Sequence, residues 1–231
     1  MHHRYPHSAL FAAIIAVSLL MAACTAASPR IGDSPSAGSP VSPPASAPAS
    51  AASTTNPPPR EMERAATSAS PLIGRLAPSF SLMNDQDQLV TLESFRGQWL
   101  VLYFYPRDDT PGCTCQATEF TDLLRHFHNL GAQVVGVSPD SPGSHRFFRE
   151  KYGLKITLLS DEDHQVMRTY GAWAEYGQKV FPKGRVIRST FLIDPEGNIA
   201  WHWPEVIPTG HATRVREKLE QLQAARRATR A

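Results

Sequence analysis

The chain has 231 residues, 42% of them hydrophobic, and a formal net charge of +2. That balance is ordinary for a globular protein and offers no basic surface for nucleic acid. Three cysteines are too few for a secreted disulfide framework, and no GxxxxGK(S/T), GxGxxG, GxSxG or HExxH pattern is present, which removes the usual signatures of nucleotide binding and of serine or zinc hydrolysis.

The N-terminus reads as an export signal. Met1 to Ser8 carries Arg4 and no acid, and Ala9 to Ala23 is apolar apart from Ser18. A run of about 15 residues is shorter than the ~18–20 a membrane span requires. It ends in Leu20-Met21-Ala22-Ala23-Cys24. This resembles the bacterial lipoprotein signal, in which a small residue precedes a cysteine that takes lipid and becomes the new N-terminus. Met21 departs from the pattern, which favours Leu three places before the cysteine. The resemblance implies a signal peptide over 1–23, lipidation at Cys24, and an exported protein held to the membrane on its periplasmic or extracytoplasmic side. An ordinary cleaved signal, or an uncleaved anchor extended through Ala27, are the other readings.

Residues 24–70 form the lipid-bearing N-terminus and a linker. Of the 46 residues from 25 to 70, 36 are Ala, Ser, Pro, Thr or Gly. So few apolar side chains do not offset the entropy of ordering, and disorder is expected. A flexible coil of this length spans ~35–40 Å on average.

Residues 71–231 read as one α/β domain. Trp99 to Tyr105 is a continuous apolar, aromatic-rich run stopped by Pro106, the pattern of a buried central strand. Gln133–Val137 and Thr190–Ile193 share it. Helices are predicted over 113–129, 142–152, 162–171 and 211–226. In the last, Val215, Leu219 and Leu222 fall on one face among charged residues. Asp194-Pro-Glu-Gly197 signals a turn joining Phe191–Ile193 to Ile199–Trp203 as an antiparallel pair. This order is that of a thioredoxin-like domain, a central mixed sheet flanked by helices. Trp173, Tyr176, Trp201, His202 and Trp203 are expected to pack in the core or on the surface.

Two cysteines lie one residue apart in Thr110-Pro-Gly-Cys113-Thr-Cys115-Gln116. Thr suits a helix N-cap and Pro the first helical position, which places Cys113 at the third. First-turn amides and the positive end of the helix then act on its sulfur. A thiol is only a few per cent ionised at pH 7. A helix terminus contributes ~0.3–1 kcal/mol, at best ~2, so a reactive thiolate also needs amide hydrogen bonds and a nearby cation.

Pro106-Arg-Asp-Asp-Thr110-Pro-Gly-Cys113 resembles the active-site motif of peroxiredoxins, thiol-dependent peroxidases on a thioredoxin-like fold. The likeness continues through Ala77–Leu82, Leu92–Gly97, Tyr103–Pro106, Gly136–Ser141, Leu158–Asp161 and Arg188–Asp194. It covers nearly all of 72–226 and is closest to the bacterioferritin-comigratory-protein, or peroxiredoxin Q, branch. The resemblance implies that Cys113 attacks peroxide to give a sulfenic acid. It implies that Thr110 hydrogen-bonds the thiolate and peroxide, that Arg188 supplies positive charge, and that Pro106 shields the sulfur. The partners implied are hydrogen peroxide or organic hydroperoxides and a thioredoxin-like or small-molecule thiol. No metal or other cofactor is implied, and members of this branch are often monomers. A resolving cysteine in this branch commonly lies five residues on, where this chain has Thr118. Cys115 is then the remaining internal partner. Residues two apart on a helix point about 200° from each other, which favours an external thiol over a Cys113–Cys115 bond.

The rival readings are a zinc site and a tethered copper-binding or thiol–disulfide protein. Structural zinc favours cysteines two to four residues apart with further ligands. His126 and His128 are predicted on the helix of Cys113 but exposed. A copper site would enlist a distant His164 or His202. A general disulfide oxidoreductase would carry Cys-x-x-Cys, which is absent.

Overall fold

A computed structural model describes residues 71–175 and 184–230, the last of these by its backbone alone. The signal-like segment, Cys24, the linker and Tyr176 lie outside the described residues.

The strand that organises the domain is β3 (Trp99–Phe104), six residues that are all buried. Strand side chains alternate between faces, and β3 is apolar at every position because both faces are covered. Trp99, Val101 and Tyr103 enter one core cluster, continued by Tyr105. Leu100, Leu102 and Phe104 enter the other. Burying each such side chain is worth ~1.5–3 kcal/mol. The strand ends one residue earlier than its apolar pattern suggests, since Tyr105 already belongs to the loop that follows.

Around β3 the chain lays down β1 (Ser81–Asn84) and β2 (Leu89–Thr91), then a 3₁₀ turn at Leu92–Phe95 before β3 itself. Next come α1 (Pro111–Asp122), α2 (Leu124–Asn129), β4 (Ala132–Ser138), α3 (Pro142–Tyr152) and β5 (Thr157–Ser160). The chain continues with α4 (Gln165–Thr169), β6 (Trp173–Ala174), β7 (Arg185–Val186), β8 (Ser189–Ile193), β9 (Ile199–Trp203) and α5 (His211–Arg230). Seven strands form one sheet in the order β2-β1-β5-β4-β3-β8-β9, while β6 and β7 pair apart from it. The centre is parallel between β3 and β4 and between β4 and β5. It is antiparallel at β3–β8 and β8–β9. This is the mixed, helix-flanked sheet expected of a thioredoxin-like domain.

Three helix boundaries differ from the sequence pattern. The stretch 113–129 is two helices: Leu123 steps to φ −91, ψ 1, and His126 N bonds back only three residues to the Leu123 carbonyl. His126 and His128 therefore sit on α2, not on the helix of Cys113. The stretch 162–171 shrinks to Gln165–Thr169 because His164 takes a left-handed conformation, φ 60. The Asp161 carboxylate then accepts from Val166 N and Met167 N, fixing the late start. At the other end of the chain, α5 runs on past 226 to Arg230.

One close approach needs glycine. Tyr103 pairs with Gly136 across β3–β4, and a Cβ on Gly136 would fall 2.6 Å from Tyr103 Oη. The tyrosine ring, stacked on Phe120 of α1 with centroids 4.9 Å apart, occupies that space.

Candidate active site

The buried β3 delivers the chain to a tight loop, Pro106–Thr110, and then to α1. Asp109 takes φ 57, a left-handed conformation that Asp tolerates better than most residues. Thr110 is extended at φ −95, ψ 149 in the N-cap position, and Pro111 opens the helix. Cys113 thus stands at the third helical position, as the sequence indicates.

Its thiol is 2% exposed and packs in the same cluster as Tyr103, Ala117, Trp203 and Val206. Arg188, the residue just before β8, reaches across from the neighbouring strand. Its Nη2 donates to Cys113 Sγ at 3.0 Å and its Nη1 donates to Gln116 Oε1 at 2.6 Å. The planar guanidinium makes the two bonds from two separate nitrogens, a fork that the single nitrogen of an ammonium does not reproduce. Gln116 is fully buried one turn beyond Cys113 and holds the guanidinium in register with the sulfur.

The loop from Trp203 to His211 closes the other side. Val206 N donates to the Arg188 carbonyl at 2.9 Å. Gly210 N donates to Glu119 Oε1 at 2.7 Å. A Cβ on Gly112 would lie 3.3 Å from Pro208 Cγ and 3.8 Å from Arg188 Nη2, so glycine lets Pro208 and the guanidinium sit close to the helix start.

Burial sets the ionisation of the surrounding groups. Desolvation pushes the Tyr103 phenol up well beyond its ordinary value; negative charge at Cys113 and Asp108 raises it further, and Arg188 opposes them. Tyr103 is a neutral phenol at any physiological pH. His211 is fully buried, and desolvation, aided by Arg214 and Arg188, pushes its pKa well down. It faces Thr190 Oγ1 at 3.0 Å from Nε2 as a neutral ring.

Of the residues singled out from sequence, Cys113 and Arg188 meet directly. Thr110 does not reach the sulfur, because its hydroxyl donates to the Arg107 carbonyl at 3.1 Å, and the side chain makes no helix cap. Pro106 is exposed, and Pro208 is the proline packed against the helix start. Cys115 is partly buried, and its Sγ donates to Glu119 Oε1 at 3.7 Å. Both sulfurs are thiols, and they face different partners. Gln116 and Pro208 were not singled out from the sequence. Gln116 had a signal, since i and i+3 share a helix face. Pro208 had none, because it arrives through a loop.

The histidines of the copper reading are engaged elsewhere: His202 stacks on Phe191 with centroids 4.0 Å apart, and His164 stacks on Trp173 at 3.8 Å. Among the described residues no group of three or more His, Cys, Asp or Glu is placed to hold a metal ion. Trp203 is core, while Trp173 and Trp201 are partly buried.

A thiol at a helix start, gripped by a guanidinium from the next strand, can attack an electrophilic oxygen and can stabilise the charge that develops there. Comparison with known proteins points the same way. The sequence pattern of the AhpC/TSA family matches residues 73–202. A putative peroxiredoxin bcp from Coxiella burnetii is 42% identical over 146 residues, 62% of this chain and 95% of that protein. Peroxiredoxin Bcp of Bacillus subtilis is 37% identical, over 65% of this chain and 96% of its own length. The structure of Xanthomonas campestris peroxiredoxin Q superposes with a TM-score of 0.59 at 38% identity, covering 62% of this chain and 90% of that one. The chain therefore belongs to the AhpC/TSA family and, within it, to the Bcp/Q peroxiredoxins, the thiol-dependent peroxidases.

Proposed function

We propose that Cys113 is the peroxide-reactive thiol of this peroxidase and that Arg188 is its principal electrostatic partner. The observation that carries the reading is the 3.0 Å contact from Arg188 Nη2 to Cys113 Sγ, a sulfur that packs within a buried apolar cluster. The thiolate attacks one peroxide oxygen, the O–O bond breaks, and the departing oxygen takes a proton to leave as water or alcohol. Sulfur loses two electrons and becomes a sulfenic acid. Arg188 offers donors to the oxygens as charge shifts onto them, and a contact that tightens in the transition state raises the rate. Thr110 joins the site by releasing its bond to the Arg107 carbonyl and turning toward the peroxide. Pro106 shapes the approach from solvent.

Substrates are hydrogen peroxide and organic hydroperoxides. A structural neighbour supports the second class: the X. campestris bacterioferritin comigratory protein, 38% identical with a TM-score of 0.58, is described by its alkyl peroxide reduction activity. The sulfenic acid is resolved by an external thiol. The first thiol forms a mixed disulfide and releases water, and a second reduces that disulfide. Cys115 turned toward Glu119 supports this one-cysteine cycle.

Residues 1–23 act as a signal, Cys24 carries lipid, and residues 25–70 tether a monomeric catalytic domain, 71–231, on the extracytoplasmic side. The signal, lipid and tether are supported by the sequence alone: an apolar run ending at Ala23, Cys24 directly after it, and the Ala/Ser/Pro-rich stretch beyond; the monomer is carried over from the resemblance to the Q branch.

Peroxide consumption with dithiothreitol tests the catalytic reading. Cys113→Ser is expected to abolish turnover with an unchanged circular dichroism spectrum, and more than a few per cent of residual activity overturns it. Cys24→Ser is expected to move the protein from the membrane to the soluble fraction with activity intact. Continued membrane association would instead indicate an uncleaved anchor.

A further inference from the structure

Seven large hydrophobic side chains are exposed among the described residues, and three of them surround the helix start that carries Cys113. Phe147 is 61% exposed and Tyr152 37%, both on α3. They join the active-site loop through Asp109, whose carboxylate accepts from Lys151 Nζ at 2.7 Å and Tyr152 Oη at 2.5 Å. Lys151 Nζ also lies 5.9 Å from the centre of the Phe147 ring and 5.2 Å from that of Tyr152. Ile207, 43% exposed, stands on the other side, next to Pro208, the proline packed against Gly112. The loop and helix start between the two sides expose Pro106, Arg107 and Pro111. The other four exposed hydrophobics, Ile73, Leu76, Met83 and Leu89, belong to β1, β2 and the segment before them.

We propose that this rim of Phe147, Tyr152 and Ile207 docks on a lipid bilayer, and that the peroxidase takes phospholipid hydroperoxides directly from it. The proposal rests on Cys113 as the peroxide-reactive thiol and names a substrate class for that site.

The side chains are those a bilayer surface selects. Phe and Ile place apolar area among acyl chains, while Tyr and Lys keep polar tips at the headgroups. Arg107 adds a cation for anionic lipid. Asp109, a carboxylate that lipid phosphates would repel, is matched by Lys151. The rim is also held in place. Arg214 Nη2 donates to the Ile207 carbonyl at 2.8 Å, and its Nη1 donates to the Thr209 carbonyl at 3.0 Å. His211 N donates to the Pro208 carbonyl at 3.1 Å. An exposed isoleucine on so strapped a loop loses little freedom on docking.

The chain outside the described domain is long enough to allow this orientation. Gly74 N donates to the Ile199 carbonyl at 2.8 Å and Ala77 N to the Gly197 carbonyl at 2.9 Å, so the chain enters beside the β8–β9 turn. Cys113 follows the other end of β3. That strand has six residues and is therefore ~20 Å long. The 46 residues of 25–70 span ~35–40 Å as a coil. A domain anchored at Cys24 can turn its Cys113 end toward the membrane that anchors it.

A hydroperoxide on an acyl chain is polar and costly to keep in hydrocarbon, so it is drawn to the bilayer face. The Cys113 thiolate attacks its outer oxygen, the S–O bond forms and the O–O bond breaks. Sulfur loses two electrons and becomes a sulfenic acid. The inner oxygen takes back the proton that the thiol gave up and stays on the acyl chain as an alcohol.

Full-length protein is mixed with vesicles of phosphatidylethanolamine and phosphatidylglycerol that carry phosphatidylcholine hydroperoxide, with dithiothreitol as reductant. Rates are compared with those for hydrogen peroxide and cumene hydroperoxide free in solution. Wild type is expected to consume the vesicle hydroperoxide. Phe147→Ser combined with Ile207→Ser should lower that rate about 10-fold or more, the scale set by withdrawing an apolar side chain from lipid, and leave both soluble rates within about twofold of wild type. If the pair does not fold, each single variant is read in the same way, with a smaller loss. No wild-type activity on the vesicles, or an unchanged vesicle rate in the variant, overturns the proposal. So does an equal fall with cumene hydroperoxide, which would make the rim a pocket for small organic peroxides. A variant that keeps its vesicle rate but is reduced more slowly by thioredoxin also overturns it, and would make the rim a dock for a protein reductant. Failure of the Cys113 reading shows separately, as hydrogen peroxide turnover by Cys113→Ser.

Discussion

Arg188 and Cys113, 75 residues apart in the chain, meet at 3.0 Å because β8 lies antiparallel beside β3. Phe104, the last residue of β3, pairs with Ser189, the first of β8. The loop leaving β3 and the residue entering β8 must therefore emerge at one end of the sheet. The guanidinium's second bond, to Gln116 at 2.6 Å, ties it to the helix that carries the sulfur. Sheet pairing sets the coarse position, and Gln116 the fine one.

Arg188→Ala should slow the peroxide step by about 10- to 100-fold, corresponding to loss of one charge-assisted hydrogen bond worth ~1.5–3 kcal/mol. Arg188→Lys should recover only part of this, because one ammonium cannot serve sulfur and Gln116 in the same geometry. The second-order rate with hydrogen peroxide checks both; an unchanged rate in Arg188→Ala would remove the residue from the site.

Much of this was readable in the sequence, for physical reasons that differ from residue to residue. The β3 run announces itself because a strand buried on both faces must be apolar at every position. Thr110-Pro111 marks a helix start because capping chemistry is local. Arg188 is legible only by resemblance, since nothing in its own neighbourhood separates it from Arg185. The 2.8 Å contact of Asp108 Oδ2 with His145 Nδ1 joins the loop before α1 to the first turn of α3, across α1, α2 and β4, and no local pattern encodes it. Thr110 illustrates a subtler limit: its backbone does what the sequence indicates, while its hydroxyl bonds to Arg107. Rotamer choice is decided by neighbours that the local pattern does not display.

Gly136→Ala should destabilise the domain. The new Cβ would lie 2.6 Å from Tyr103 Oη and 2.9 Å from its ring edge. Tyr103 is stacked between Phe120 and Tyr105 and has little room to retreat. Overpacking of this kind costs about 1–3 kcal/mol. Chemical denaturation should show a lower midpoint with an unchanged slope. Because Tyr103 packs against the helix of Cys113, the peroxide rate should fall as well.

Stability should fall on acidification through a defined window. Burial lowers the His202 pKa from 6.5 to about 4. The unfolded chain therefore takes up the proton first, and the folded state loses stability as pH drops from ~6.5 toward ~4. At ~1.36 kcal/mol per pH unit the full effect is of order 3 kcal/mol. His211, also held neutral by burial, adds in the same direction. Denaturation midpoints between pH 7 and 4 should show the decline. His202→Phe, which can keep the stack on Phe191, should make it shallower; an equal decline in that variant would contradict the assignment.

Cys115→Ser should retain most turnover with a small-molecule thiol. The serine hydroxyl can still donate to Glu119, and the site around Cys113 is untouched. Loss of most activity, in a variant with a normal circular dichroism spectrum, would instead make Cys115 the resolving thiol.

The most direct measurement is mass spectrometry of the reduced protein after one equivalent of hydrogen peroxide, with dimedone present to trap sulfenic acid. The account predicts one dimedone adduct per chain, located at Cys113, with Cys115 still a thiol. Loss of both thiols with no adduct would show an internal disulfide and contradict the one-cysteine cycle. Consumption of peroxide with Cys113 unmodified would contradict the central claim that this sulfur, held by Arg188, is where the chemistry occurs.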